Sequence, residues 1–216
     1  EDGEPVCVEK RDSIISQTWI EECMLSANVC CAKFMTRSNL AGLYRTHEAP
    51  KADSVRSLAT NDPELFRGLP MQSIFKDLAG DSPNVNPQRF ELYKELVERS
   101  RDNDDLLRKV LRSMEKARYD ATPEGHFALN WKNYAHFTSP IRRYADLWCH
   151  RRIKEALKNN VPEGKHELGR KVAESISGSE IEIMKCERKG FRFCTARIAQ
   201  EFIGDDFNGT IVGMES

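Results

Sequence analysis

Tyr134-Ala135-His136-Phe137-Thr138-Ser139-Pro140-Ile141-Arg142-Arg143-Tyr144-Ala145-Asp146 changes character at its centre. Tyr134 to Phe137 alternates like a strand and, with His126 to Trp131 before it, reads as a hairpin turning at Lys132–Asn133. Ser139 is a good N-cap and Pro140 suits a first helical position, so a helix is expected from Pro140 to Asn159. Strand and helix signals in one short stretch predict an α+β fold.

The same stretch carries the strongest chemical signal. Arg142 and Arg143 fall in the first turn of the expected helix, where cations oppose the helix dipole. Free backbone N–H groups and two guanidiniums at one helix end form a phosphate site. Six basic residues stand against two acidic ones over 140–159, on a chain whose net charge is −1. The competing reading pairs Arg142 with Asp146 one turn on and leaves the other cations to solvent.

Outward from there, helical periodicity dominates and makes the α+β class helix-rich. Ile20, Cys23, Met24, Ala27, Cys31 and Phe34 recur at helical steps, placing a helix from Asp12 to about Ser38. Leu40 to His47 reads as a strand, and the five prolines over 50–87 predict short helices and turns. Pro87 to Arg99 and Asp102 to Tyr119 read as helices, the second opened by a capping Asp102-Asn103-Asp104-Asp105 run. A long helix is expected to end near Ile203, with Gly178 as a candidate break. Phe207 to Val212 opens a strand with no partner behind it, and the chain starts at Glu1, so a piece of something longer is expected.

Composition narrows the class. The chain is 39% hydrophobic and 31% charged, an ordinary globular mix, and no run approaches the 18 apolar residues of a membrane span. Its seven cysteines are scattered without a C-x-x-C, which points to reduced, core-filling thiols in a cytoplasmic protein. His47, His126 and His136 lack metal-ligand spacing and read singly as hydrogen-bonded structural residues. Glu21 shares a helical face with Leu25 and Asn28, a polar strip on an otherwise apolar helix.

Five ordered strings together resemble the RNB-domain exoribonucleases, the ribonuclease II and ribonuclease R family, and the ribonuclease R branch more closely. They are Ile20-Glu21-Glu22 through Ala27-Asn28, Leu43 through Pro50, Leu111-Arg112-Ser113-Met114 with Ala117 and Tyr119, Gly125 through Asp146, and Ser179-Glu180 through Cys186-Glu187-Arg188. The resemblance implies processive, magnesium-assisted 3′-to-5′ hydrolysis of single-stranded RNA to nucleoside 5′-monophosphates. It implies that Arg142 contacts the scissile phosphate and that Glu21 and Glu187 lie at the terminal nucleotide. RNA contacts are implied for Ser139, Arg143, Asn28, Tyr134 and His136 as well.

The family's D-x-x-x-x-x-D-x-D-D-like magnesium string does not occur in this sequence. The expectation is therefore the C-terminal part of an RNB domain over 1–205, then the start of a truncated OB-type RNA-binding barrel over 206–216. Such a piece carries no metal ligands, is inactive alone, and dimerises or swaps to hide its exposed face. A catalytically dead RNB-like module that binds RNA or protein is the alternative.

Overall fold

The computed structural model describes residues 5–9, 14–70, 87–158 and 165–209. In chain order these form α1 (Ile15–Arg37), β1 (Tyr44–Thr46), α2 (Ala52–Asn61), a 3-10 turn (Pro63–Phe66), α3 (Pro87–Ser100) and α4 (Asp104–Arg112). There follow β2 (Arg118–Asp120), a second 3-10 turn (Phe127–Leu129), α5 (Tyr144–Leu157), α6 (Lys165–Ala199) and a third 3-10 turn (Gln200–Phe202). The architecture is α+β and helix-rich, as the periodicities predict. Among the described residues no helix is long and apolar enough to cross a membrane.

The only sheet among the described residues is a two-stranded antiparallel ribbon, with Arg45 opposite Tyr119. At that pair the backbone donors point outward, and both find partners. Tyr119 N–H donates to the Ser177 hydroxyl of α6 at 3.0 Å, and Arg45 N–H donates to Tyr134 C=O at 2.9 Å. A two-stranded ribbon is marginal alone, so these neighbours hold it in place. Arg45 also reaches Glu180 of α6 at 2.6 Å and lies 4.7 Å over the Tyr119 ring.

Two apolar clusters flank the ribbon. One joins Met35, Leu43, Ala135, Trp148 and Cys149, drawing α1, β1 and α5 together. Trp148 Nε1 satisfies its polar atom by donating to Ala41 C=O at 2.7 Å. The other joins Val55, Leu96, Val110 and Phe127 beneath α2, α3 and α4. Phe127 meets Tyr93 edge-on at 5.5 Å.

Several sequence expectations change. The helix expected from Pro140 starts at Tyr144, because residues 140–142 form a turn folded back onto Ser139 C=O; Asn159 lies outside the described residues. The expected hairpin does not form between its own strands. Gly125, Phe127 and Tyr134 bond instead to His47 and Arg45, which leaves room for a 3-10 turn ended by left-handed Asn130 at φ 53°. The helix expected from Asp102 to Tyr119 stops at Arg112, and its last residues become β2 because β1 needs a partner. Asn103 is its cap, with Oδ1 accepting the N–H groups of Asp105 and Leu106.

The Leu40–His47 strand shortens to Tyr44–Thr46 with a bridge at His47. Gly178 does not break α6, where a missing side chain costs only about 1 kcal/mol. Cys31 and Cys149 are core thiols, whereas the other five cysteines are exposed, so most are not core-filling. Of the expected α1 stripe only Cys31 is buried; Ile20, Cys23, Met24 and Phe34 are exposed, and the buried residues of the helix are Asn28, Cys31, Ala32 and Met35. The expected strand from Phe207 shows none of its pairing at 207–209, and residues 210–216 lie outside the described residues.

Phe127→Ala removes a side chain that is 1% exposed at the centre of the second cluster. It should lower stability by about 3–5 kcal/mol, read as a shift in the urea midpoint at unchanged slope.

Candidate functional site

The turn before α5 is assembled around one buried carboxylate. Asp146 is 0% exposed, and its Oδ1 accepts both the Ser139 N–H and the Arg143 Nη2, each at 2.8 Å. The N–H groups of Arg142 and Arg143 both return to Ser139 C=O, at 3.4 and 3.1 Å. The backbone thus reverses tightly between Ser139 and Arg143. Asp146 pairs with Arg143, not with Arg142. Arg142 is exposed and has no side-chain partner among the described residues. Its guanidinium is free to meet an anion.

The strand-like segment leading into the turn is fixed by α1 and α5. Buried Asn28 donates to the Tyr134 hydroxyl at 3.0 Å and accepts the Phe137 N–H at 2.9 Å. His150 stacks on Phe137 at 4.0 Å and bonds to its C=O at 2.9 Å. His136 meets the Tyr119 hydroxyl through Nδ1 at 2.9 Å. Burial, then the charges of Arg143 and Arg45, push the His136 pKa down to about 3. Burial pushes Tyr119 up to about 12, so a neutral imidazole and a neutral phenol share this hydrogen bond. His126 is likewise held down at about 3, by burial first and then by His47 and Arg45.

The residues singled out in the sequence separate into four places. Asn28, Tyr134 and His136 lie behind the turn, with polar atoms engaged by protein neighbours. Ser139, Arg142 and Arg143 form the turn itself. Glu21 is exposed two helical turns before Asn28. Thr138 lines a groove of about 360 Å³ with Trp19, Ile20, Cys23 and Met24, so the turn begins against the part of α1 that carries Glu21. Glu187 is exposed on α6, seven residues beyond Glu180, and no described contact brings it to the turn.

Asp146 is the residue that sequence reasoning undervalued. Its spacing fits a pair with either arginine, and only burial decides between them. The Arg45–Glu180 bridge spans 135 positions and leaves no sequence signal. Among the described residues no three His, Cys, Asp or Glu side chains converge where a metal could sit.

Two measurements test this geometry. Asp146→Ala strands the Ser139 N–H and the Arg143 guanidinium and should cost about 3–5 kcal/mol in denaturant unfolding; Asp146→Asn, which keeps an acceptor, should cost less. The second concerns pH. The folded chain keeps His126 and His136 neutral down to about 3, against an ordinary value of 6.5. The unfolded chain binds more protons between those values, so stability is full above about pH 6.5 and declines toward pH 3. Urea midpoints at pH 7.5, 6 and 5 should fall in that order, with a shallower fall in His136→Gln.

The family model described as the RNB domain matches residues 1–159. Ribonuclease R 1 of Lactococcus lactis is 32% identical over 219 residues, covering 99% of this chain and 26% of that protein. Ribonuclease R of Escherichia coli is 40% identical over 141 residues, covering 64% of this chain and 16% of that protein. Among solved structures, Mycoplasma genitalium RNase R in complex with double-stranded RNA superposes with a TM-score of 0.74 at 26% identity, over 92% of this chain and 35% of that one. Yeast Ssd1, a pseudonuclease, shares the fold at a TM-score of 0.54 and 24% identity, over 76% of this chain and 20% of that one. The chain therefore spans about a quarter or less of the length of these curated relatives. With most of its length matched by the domain model, and a relative at 32% identity along nearly all of it, the chain belongs to the RNB-domain family.

Proposed function

We propose that this segment supplies the phosphate- and terminal-nucleotide-contacting side of a processive hydrolytic 3′-to-5′ exoribonuclease, one that releases nucleoside 5′-monophosphates from single-stranded RNA. The observation that carries the reading is Arg142, a free guanidinium on a turn whose backbone is fixed by a buried carboxylate. A cation carried on a fixed backbone can reach and stabilise charge developing on a phosphoryl oxygen. The relatives named ribonuclease R, and the neighbours solved with RNA, support RNA as the polymer.

Glu21, on the α1 face beside the turn, and Glu187, on α6, are proposed to accept hydrogen bonds from the hydroxyls of the terminal nucleotide. The 2′-hydroxyl is what separates RNA from DNA at such a contact. Ser139 and Arg143 shape the turn, while Asn28, Tyr134 and His136 hold the segment that leads into it. The RNB portion is proposed to run through residue 205, with an RNA-binding barrel opening at 206–216. Magnesium is proposed as the cofactor of the whole enzyme, a cytoplasmic one, with ligands outside the described residues. The segment by itself is proposed not to cleave RNA.

In an enzyme of the relatives' length that contains this segment, Arg142→Ala should lower kcat by about 10²–10³. Binding of single-stranded RNA should weaken far less, because one arginine is a small part of a long contact. Equal losses in both would overturn the transition-state role. The 216-residue chain, given 3′-labelled single-stranded RNA in magnesium or EDTA, should leave it intact on a gel. Magnesium-dependent shortening would overturn the proposed inactivity. An unshortened RNA in the longer protein as well would favour a binding module over a nuclease.

A further inference from the structure

Beyond Glu180, α6 leaves the body of the fold. From Ile181 to Ala199 it is exposed on nearly every side, and the Arg45–Glu180 bridge is its last described tie to the ribbon. This free stretch is basic. Lys185, Arg188, Lys189, Arg192 and Arg197 face one acidic residue, Glu187, over 185–197, in a chain whose net charge is −1.

The first four of these cations are not spread round the helix. At 100° per residue, Lys185, Arg188, Lys189 and Arg192 fall within about 100° of one another along about 10 Å of axis. Glu187 lies on the opposite side with Ile183 and Phe191. Lys185 meets Glu182 at 2.7 Å at the edge of the stripe. Arg188, Lys189 and Arg192 have no side-chain partner among the described residues.

Helix physics does not favour this arrangement. Like charges at i,i+3 and i,i+4 repel, and the stripe contains four such pairs. The helix dipole rewards cations only in the last turn, and Lys185 to Arg192 lie seven or more residues before Ala199. Gly190, in the middle of the stripe, weakens the helix further. Four cations are therefore held side by side in solvent, and among the described residues only Lys185, through Glu182, has an acidic side chain against it.

We propose that Lys185, Arg188, Lys189 and Arg192 form a binding surface for consecutive backbone phosphates of RNA, separate from the turn that carries Arg142. The linear spacing suits a polyanion whose charges follow one another along a strand, and the two guanidiniums suit phosphate oxygens. An anionic membrane is the weaker match, because the apolar side opposite the stripe is interrupted by Glu187. The RNA held here is a different stretch of strand from the one at Glu187. The inference rests on the RNA reading above and adds a second anchoring point to it.

The test uses the 216-residue chain and a fluorescent 20-nucleotide single-stranded RNA, with affinity measured by anisotropy from 50 to 300 mM salt. Lys185→Gln, Arg188→Gln, Lys189→Gln and Arg192→Gln together should weaken binding at least tenfold at 100 mM. They should also flatten the slope of log affinity against log salt by about 3, since each phosphate contact on a single strand contributes about 0.7. Far-UV circular dichroism should show undiminished helix, because the substitutions relieve repulsion. Arg142→Ala, run beside it, should flatten the slope by no more than about 1. An unchanged slope in the fourfold variant with a loss in Arg142→Ala would overturn the stripe and leave the RNA reading standing. A chain that binds no RNA at any salt would overturn both. Tighter, stripe-dependent binding to phosphatidylserine vesicles than to RNA would overturn the proposal in favour of a membrane surface.

Discussion

The Asp146 carboxylate is the constraint on which the site depends. An ion taken wholly out of water is costly, and here it is matched by a guanidinium and a backbone N–H on the same oxygen. That one oxygen has three effects. It ends the extended segment at Ser139, it delays α5 until Tyr144, and it occupies Arg143. Arg142 is left without a side-chain partner among the described residues, as its proposed contact with a phosphate requires. A helix running from Pro140 would have put both arginines on the same rigid cylinder and left neither one chosen.

A second set of contacts ties the turn to distant parts of the chain. Glu180 holds Arg45, Arg45 covers Tyr119, Tyr119 bonds His136, and Asn28 bonds both Tyr134 and Phe137. Contacts on α6, both strands and α1 therefore converge on the same few residues before the turn. Buried polar groups of this kind are worth keeping only when they are matched, and here most of them are. The neutral state of His136 belongs to this arrangement, since a proton on that ring would sit against Arg143 and Arg45.

Long periodic elements were legible from sequence because apolar residues repeat along them. Pro87–Ser100, the end of α1 and the long α6 followed from side-chain spacing alone. Short elements were not legible. Arg118–Asp120 becomes a strand because Tyr44–Thr46 needs a partner, a demand arising about 70 positions away. The Ser139-Pro140 start was misplaced for a similar reason: cap and proline signals are local, whereas the Asp146 contact draws those residues into a turn. Spacing alone could not distinguish Arg142 from Arg143 as the partner of Asp146, because both lie within one helical turn of it, and the fold pairs Asp146 with Arg143. For α1 the stripe was continuous in sequence, yet of its residues only Cys31 is buried.

The outward-facing donors of the ribbon bear on the behaviour of the chain among its own copies. A short sheet with open edges is a template on which another strand can add its backbone, and this is a common beginning of aggregation. Here the outer donor of one strand is taken by the Ser177 hydroxyl and that of the other by the Tyr134 carbonyl. A helix and a loop, neither able to propagate pairing, close the ribbon on its two sides. The sheet can therefore stay two strands wide without inviting a third.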